Sequence, residues 1–565
     1  MNNVVFASMA HEPERVSGDE EDAGDLVVDL AVVGSGGGGL AAAIVAHDHG
    51  LRAVVLERAD TLGGGTALAT GGHWFPNNQQ QQAAGIADSR EAALAHLLAT
   101  ARGEHIPESR EIAEAYVDHC IEAVQYLEAH TPLRFEALLN FPDYRARLPG
   151  ASRGRTMVPA LFPVRSLGEA ASWIRRGPVT QRVSLKEADE RGGSTRFQPS
   201  PELLAQRERD DVRAGGGASI AALLKACLDR GIEIRRRHRA QRLVVEDGRV
   251  AGVEVEHDGR IIRIGARRGV LLSTGGADWD AVNTRRNVQR PYDGPATPPA
   301  NAGDGHRMGM VLGLPVALMH DASWTPAFQL PGERYEGGLY FRPCLRERNL
   351  PHTIVINRAG QRFGNESLPY NDFVNSAVHA WDGDAYTYPN VPMFLVLDSQ
   401  YRARYPIAGI RPGEPDPAWL TAATSLPELA SRLGIDGPGL AATVACFNAS
   451  ARQGEDPVFH RGGDEYQRYY GDVDHRPHPN LGPLDTPPYY GVQLHVSAYG
   501  SKGGLITDGV ARVIDQVGHP VPGLYAVGNV AASFQHNIGY TGGGVLGRAL
   551  VFGYLAATHL ASGAS

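Results

Sequence analysis

The chain has 565 residues, 42% of them apolar, enough for one large core or two moderate ones. A formal charge of −9 with 21% charged residues leaves no basic surplus, which argues against nucleic acid as a partner. Four scattered cysteines (Cys120, Cys227, Cys344, Cys446) form no C-x-x-C pair, so no disulfide framework is expected and no metal site.

In chain order, residues 1–25 carry the acidic patch Asp19–Asp22 and lack the basic start and apolar middle of a secretory signal. They are expected to be a flexible extension of a cytoplasmic protein. No run of 18 or more apolar residues suggests a transmembrane segment. Val27 to Val33 reads as a buried strand, Leu40 to His49 as an alanine-rich helix and Ala53 to Glu57 as a second strand, which together make a βαβ unit. Glu91 to Thr131 reads as largely helical. From Pro142 to about Gly215 the pattern breaks into Pro, Gly and Arg, an insertion long enough to suggest a substrate lid. A meander follows (Ala240–Glu246, Val250–His257, Ile261–Ala266), then a separate strand, Val270 to Thr274, ending in Gly275 and Gly276. From Trp324 to Pro488 the βα alternation fades. It returns with the strand Gly523 to Val527, then Gly528, Asn529, a glycine loop and a closing helix.

The expected fold is therefore α/β: a discontinuous FAD-binding, Rossmann-like domain with an inserted α+β catalytic domain capping the substrate. The expected division is 26–323 and 491–565 for the first, with 324–490 inserted. The dinucleotide fingerprint is Gly34-Ser35-Gly36-Gly37-Gly38-Gly39 between strand and helix. Its glycines permit a tight turn and close approach of backbone to a pyrophosphate at the positive helix N-terminus. Glu57, eighteen residues past Gly39, is placed to accept from ribose hydroxyls. FAD is longer than this turn can hold. Further glycine-rich segments (Gly64, Gly65 and Thr66; Thr70, Gly71 and Gly72; Thr274 and Gly275; Gly528 and Asn529) supply main-chain donors for the rest, which favours FAD over NAD.

These residues carry a resemblance. The chain is similar to the fumarate reductase and succinate dehydrogenase flavoproteins, and within them resembles the 3-ketosteroid dehydrogenases, with cyclohexanone-type dehydrogenases as near relatives. The stretches that carry it are GGGTALATGGHWFPNN (63–78), NRAGQRFGNESLPYNDF (357–373), DPVFHRGGDEYQRYYGD (456–472), PNLGP (479–483), GSKGGLITD (500–508) and GLYAVGN (523–529). The resemblance implies α,β-desaturation of a cyclic ketone, with FAD bound non-covalently because the covalent-histidine position falls on Gly65 or Thr66. It adds Arg58, Ala240, Asp304, Gly544 and Leu546 to the cofactor residues, and a small-molecule ketone and an external electron acceptor as partners.

Desaturation beside a ketone needs a base for the α-proton, donors for the developing enolate oxygen and an acceptor for the β-hydride. Preorganised enolate donors contribute ~3–4 kcal/mol each. A tyrosine serves as base only if its pKa of ~10 is effectively lowered. The resemblance puts the base at Tyr370, closing Asn365-Glu366-Ser367-Leu368-Pro369-Tyr370, and the carbonyl donors at Tyr540 and Gly544. The loop before the last helix is one residue shorter than the family's, and an ungapped alignment would move the tyrosine to Gly539. Tyr144 matches the family's assisting tyrosine only in Asp143-Tyr144. His73, Trp74 and Trp324 are expected to pack around the flavin or ring, His536 is read as structural, and Tyr490 and Tyr499 are spare candidates for the Tyr540 role. Two other readings stay open: a fumarate-reductase-like dicarboxylate oxidoreductase, against which the missing His-Pro-Thr and the tyrosine after N-E-x-x-P speak, and a non-catalytic flavin-binding redox sensor.

Overall fold

Two sheets organise the chain in a computed structural model that describes residues 26–101, 108–193, 197, 199–535 and 540–563. The expected N-terminal extension, His536 and Gly539 lie outside the described residues. The first sheet has a parallel centre. Leu26–Val33 lies between Arg260–Leu272 and Ala53–Leu56, and Pro520–Ala526 and Glu233–Arg235 extend it on either side. Leu30 and Val32 are fully buried against helix residues on one face, and Ala31 is fully buried on the other, where residues of the strands Arg239–Glu246 and Arg249–His257 pack. The meander's last strand and the glycine-ended strand, expected as two elements, are one strand, Arg260–Leu272. Its first half pairs antiparallel with Arg249–His257 and its second half continues parallel to Leu26–Val33.

Helix Gly37–Asp48 follows the first strand and is crossed by the last helix, Gly544–Ser562. The crossing is close because glycine faces glycine: a Cβ on Gly553 would stand 2.3 Å from the Gly38 carbonyl oxygen. Among the described residues, Gly544–Ser562 is the one helix long and apolar enough to cross a membrane. Here 67% of its apolar window is buried inside the protein, and it carries the buried Arg548. Glu91 to Thr131 resolves into two helices, Arg90–Ala101 and Ser109–His130. The 142–215 insertion is built of short pieces, among them the strand Thr156–Pro159, which pairs with Phe135–Ala137 and His73–Trp74.

The second sheet is antiparallel at its centre, in the order Gly338–Pro343, Ala322–Tyr335, Tyr489–Ser501, Met393–Asp398, Thr353–Asn357. Its central strand, Tyr489–Ser501, runs straight through position 491, so this sheet reaches Ser501 before the chain returns to the first one. A separate buried cluster, made mainly of tyrosines, lies where the two sheets' loops meet.

Candidate active site

A cavity of about 620 Å³ runs from the fingerprint loop to that tyrosine cluster. At the fingerprint, the glycines divide the work. Gly34 has φ +108° and a Cβ there would collide with the Ser273 carbonyl at 2.3 Å, while a Cβ on Gly39 would strike the Gly34 carbonyl at 2.2 Å. Gly39 therefore packs helix on strand and does not line the cavity. Gly36 and Gly37 do line it, and a Cβ on either would meet only Thr66 side-chain atoms and Ser273 Oγ, 3.4–3.9 Å away. A methyl group would project into the cradle that a pyrophosphate needs, so the residues present fit a dinucleotide.

Glu57 shapes the same turn. Its Oε2 accepts from Ser35 Oγ at 2.6 Å and the Ser35 N–H at 3.2 Å, and its Oε1 accepts from the Ala59 N–H at 2.9 Å. Ser35, Arg58, Gly64, Thr66, Thr70, Gly71, Gly72, Ala240, Thr274, Gly275, Asp304, Gly528, Asn529 and Leu546 all line the cavity. Asp304 is gripped by Arg58 at 2.8 Å and by Arg239 at 2.9 and 3.1 Å.

Tyr370 owes its position to the motif before it. Glu366, fully buried, accepts both Arg362 Nε and Nη2 at 2.7 Å. Asn365 Oδ1 accepts from the Ser367 N–H at 2.9 Å, and its amide donates to Gln467 Oε1 at 3.1 Å. Arg348 donates to the carbonyls of Glu366 and Leu368. Pro369 then fixes the first turn of the helix Tyr370–Phe373, which delivers the phenol to the cavity wall.

Tyr144, Tyr370 and Tyr540 come from three distant parts of the chain and form a triangle. Their ring centroids are 5.7, 5.8 and 5.5 Å apart, and the hydroxyls of Tyr144 and Tyr370 are 3.4 Å from each other. Tyr499 joins from the second sheet, 5.3 Å from the Tyr370 ring. Burial is the first cause that pushes the Tyr144 and Tyr370 hydroxyls well above an ordinary phenol, and it raises Tyr540 as well. All three are neutral phenols at neutral pH in this structure.

Gly544 differs from expectation. It stands behind the wall, in a small polar recess, and its N–H donates to the Thr541 carbonyl at 3.1 Å. Tyr540 is the member of that pair that lines the main cavity. The expected ring-packing residues also sit elsewhere. Trp74 is fully buried and donates to Asp143 Oδ1 at 2.7 Å, and His73 bonds the Gly71 carbonyl. Trp324 donates to Asp321 in the second sheet's core. All three rings are buried in the protein interior and none lines the cavity. Tyr490 belongs to that second core, not to the cavity. Tyr466 and Tyr470 went unassigned although they stand in the quoted stretch 456–472. Their four-residue spacing puts both against Phe141, and Tyr470 lines the cavity.

Comparison with known proteins agrees with this geometry. A family model described as FAD binding domain matches residues 29–546. The chain is 38% identical over 551 residues to the 4-oxocyclohexanecarboxylate 2-dehydrogenase of Sinomonas cyclohexanicum, covering 95% of this chain and 93% of the relative. It is 36% identical to a 3-oxosteroid 1-dehydrogenase of Mycobacterium tuberculosis, covering 94% and 98%. A crystal structure of the 3-ketosteroid delta1-dehydrogenase of Sterolibacterium denitrificans superposes with a TM-score of 0.87 at 34% identity, covering 95% of this chain and all of that one. The chain belongs to the FAD-binding-domain family of flavoproteins, in the branch of the 3-oxosteroid and oxocyclohexane-carboxylate dehydrogenases, with FAD as its cofactor.

Proposed function

We propose that this protein desaturates a cyclic ketone between its α and β carbons. The observation that carries the reading is the meeting of Tyr144, Tyr370 and Tyr540 on the wall of the cavity that the dinucleotide fingerprint also lines. When bound along the fingerprint cavity, FAD would supply the acceptor for the β-hydride, with an external electron acceptor as the partner that takes up the two electrons. Tyr370 takes the α-proton on its phenolate oxygen. Burial and the neighbouring Tyr144 hydroxyl hold Tyr370 neutral at rest; once Tyr370 is ionised, Tyr144, 3.4 Å away in a contact where either hydroxyl can be the donor, donates to its oxygen. Tyr540 donates to the ketone oxygen as enolate charge builds there. The Gly544 N–H would have to leave the Thr541 carbonyl to join it. The electron pair of the broken Cα–H bond becomes the new π bond, its proton goes to tyrosine, and the Cβ–H pair leaves with the hydride.

The reacting end is walled by Leu138, Phe141 and tyrosines, a poor match for a dicarboxylate, whose two charges would demand cations there. Arg346 also lines the cavity. Its neighbour Glu347 is pushed toward its neutral form by burial. That combination suits a small ring ketone carrying a carboxylate, as in the name of the Sinomonas relative, more than a neutral steroid. FAD attachment is read as non-covalent, since Gly65 and Thr66 offer no histidine.

The test is anaerobic: 4-oxocyclohexanecarboxylate, unsubstituted cyclohexanone, a 3-ketosteroid and succinate are each mixed with holoenzyme and flavin bleaching is followed. A cyclic ketone should bleach the flavin and succinate should not. Where wild type exchanges the substrate α-hydrogen with deuterated solvent, Tyr370→Phe should slow that exchange ~10²–10⁴-fold. Unchanged exchange in Tyr370→Phe would remove the base assignment.

A further inference from the structure

Arg145 follows Tyr144 directly, and its guanidinium reaches both other tyrosine segments. It donates to Asp372 Oδ1, two residues past Tyr370 in the same short helix, and its Nη1 donates to the Tyr540 carbonyl at 2.9 Å. The pair is largely buried, with 13% and 12% of the two side chains exposed. The three rings also meet each other at 5.5–5.8 Å, and the Tyr144 and Tyr370 hydroxyls are 3.4 Å apart, but those contacts are between the reacting groups themselves. Asp143 is held by Trp74, Ser152 and Arg155, and the Ser376 hydroxyl bonds the Asp372 carbonyl. Each of these fixes one segment to its own surroundings. The Arg145 fork instead spans all three.

We propose that the Arg145–Asp372 ion pair is the positioning device of the active site: one planar guanidinium sets the spacing of base, assisting hydroxyl and enolate donor. This rests on the reading of Tyr370, Tyr144 and Tyr540 as the reacting tyrosines. The physical reason is that these groups must act on one substrate together. The α-proton leaves toward Tyr370 while charge arrives beside Tyr540, so a change in their separation mistimes both. A misplacement of about 1 Å costs on the order of 10²-fold in rate. A planar fork fixes distance and angle at two acceptors, which a lysine ammonium cannot do. Arg145 and Asp372 touch neither substrate nor cofactor in this role. They are positioning residues.

The experiment compares wild-type holoenzyme with Arg145→Gln, Arg145→Lys, Asp372→Asn and the double variant Arg145→Gln/Asp372→Asn. For each, kcat per bound FAD, KM and α-hydrogen exchange are measured with the ketone that bleaches wild type. Arg145→Gln should lower kcat and exchange by roughly 10–100-fold with little change in KM or FAD occupancy. Arg145→Lys should recover part of the loss, since it keeps the charge pair and gives up the fork. The double variant should be no worse than Arg145→Gln, because both substitutions break one interaction. Turnover and exchange within about twofold of wild type in Arg145→Gln, with only thermal stability reduced, would overturn the proposal. Should Arg145→Gln yield no holoenzyme, Arg145→Lys and Asp372→Asn decide, and normal exchange in both overturns it. Exchange that survives Tyr370→Phe sinks the base assignment instead. Exchange lost in Tyr370→Phe but kept in Arg145→Gln sinks this proposal alone.

Discussion

Removing one hydroxyl, in Tyr144→Phe, tests how a buried phenol can work as a base. The active form of Tyr370 is the phenolate, and burial raises its pKa. Activity is therefore present above that pKa and lost as pH falls through it, tenfold per unit on the acid side. In the neutral pair the Tyr144 contact adds to burial in raising that pKa; in the proposed mechanism the same hydroxyl turns to donate to the phenolate once it forms. A hydrogen bond to a charged group contributes ~1.5–3 kcal/mol, but at 3.4 Å this one is longer than the usual 2.5–3.0 Å, which points to the lower end. About 1.5 kcal/mol is about one pKa unit. Tyr144→Phe should thus lower kcat/KM roughly tenfold near pH 7 and displace the rising limb about one unit toward alkali. The ring remains, so FAD binding and KM should hold. Anaerobic flavin reduction and α-hydrogen exchange, followed from roughly pH 6 to 10, read the displacement. A profile identical to wild type, or a flat profile in both proteins, would falsify the assisted-phenolate account.

Glu57→Gln replaces a carboxylate that accepts two bonds from Ser35 in the fingerprint turn and one from the Ala59 N–H. It should weaken FAD binding about 10–100-fold, read from flavin fluorescence on dilution, and an unchanged Kd would refute the role. Gly553→Ala should gain up to ~1 kcal/mol of helix propensity and lose more. The new Cβ would stand 2.3 Å from the Gly38 carbonyl oxygen, a backbone atom that cannot swing aside. Overpacking costs ~1–3 kcal/mol, so the Tm should fall by a few degrees, and a raised Tm would contradict the close crossing. Acid precipitation should leave all FAD in the supernatant, and yellow pellets would show a covalent link.

Local chemistry was enough to read the cofactor half of the protein. Gly34 and Gly39 must be glycines because a Cβ on either would strike a backbone carbonyl oxygen at 2.3 and 2.2 Å, and both stand in one short run of the sequence. The βαβ periodicity around it is equally local. Tyr370 was named by the resemblance that Asn365-Glu366-Ser367-Leu368-Pro369-Tyr370 carries, and the structure puts it on the cavity wall. What stayed hidden depends on segments that the sequence keeps apart. The continuous strand Arg260–Leu272 was expected as two pieces, Ile261–Ala266 and Val270–Thr274, whereas pairing with neighbours on both sides joins them. Trp74 and Trp324 look like ring-packing residues in any one-dimensional reading. Only the folded chain shows that Asp143 and Asp321 satisfy their indole N–H groups in the cores. Gly544 was placed by type, but the direction of its N–H is decided by the Thr541 carbonyl one turn back. Arg145 offers the sharpest contrast. In sequence it is an unremarkable arginine in an irregular stretch. Its partners, Asp372 and the Tyr540 carbonyl, are 227 and 395 residues away, and no local pattern can encode a contact that exists only after two sheets have brought their loops together.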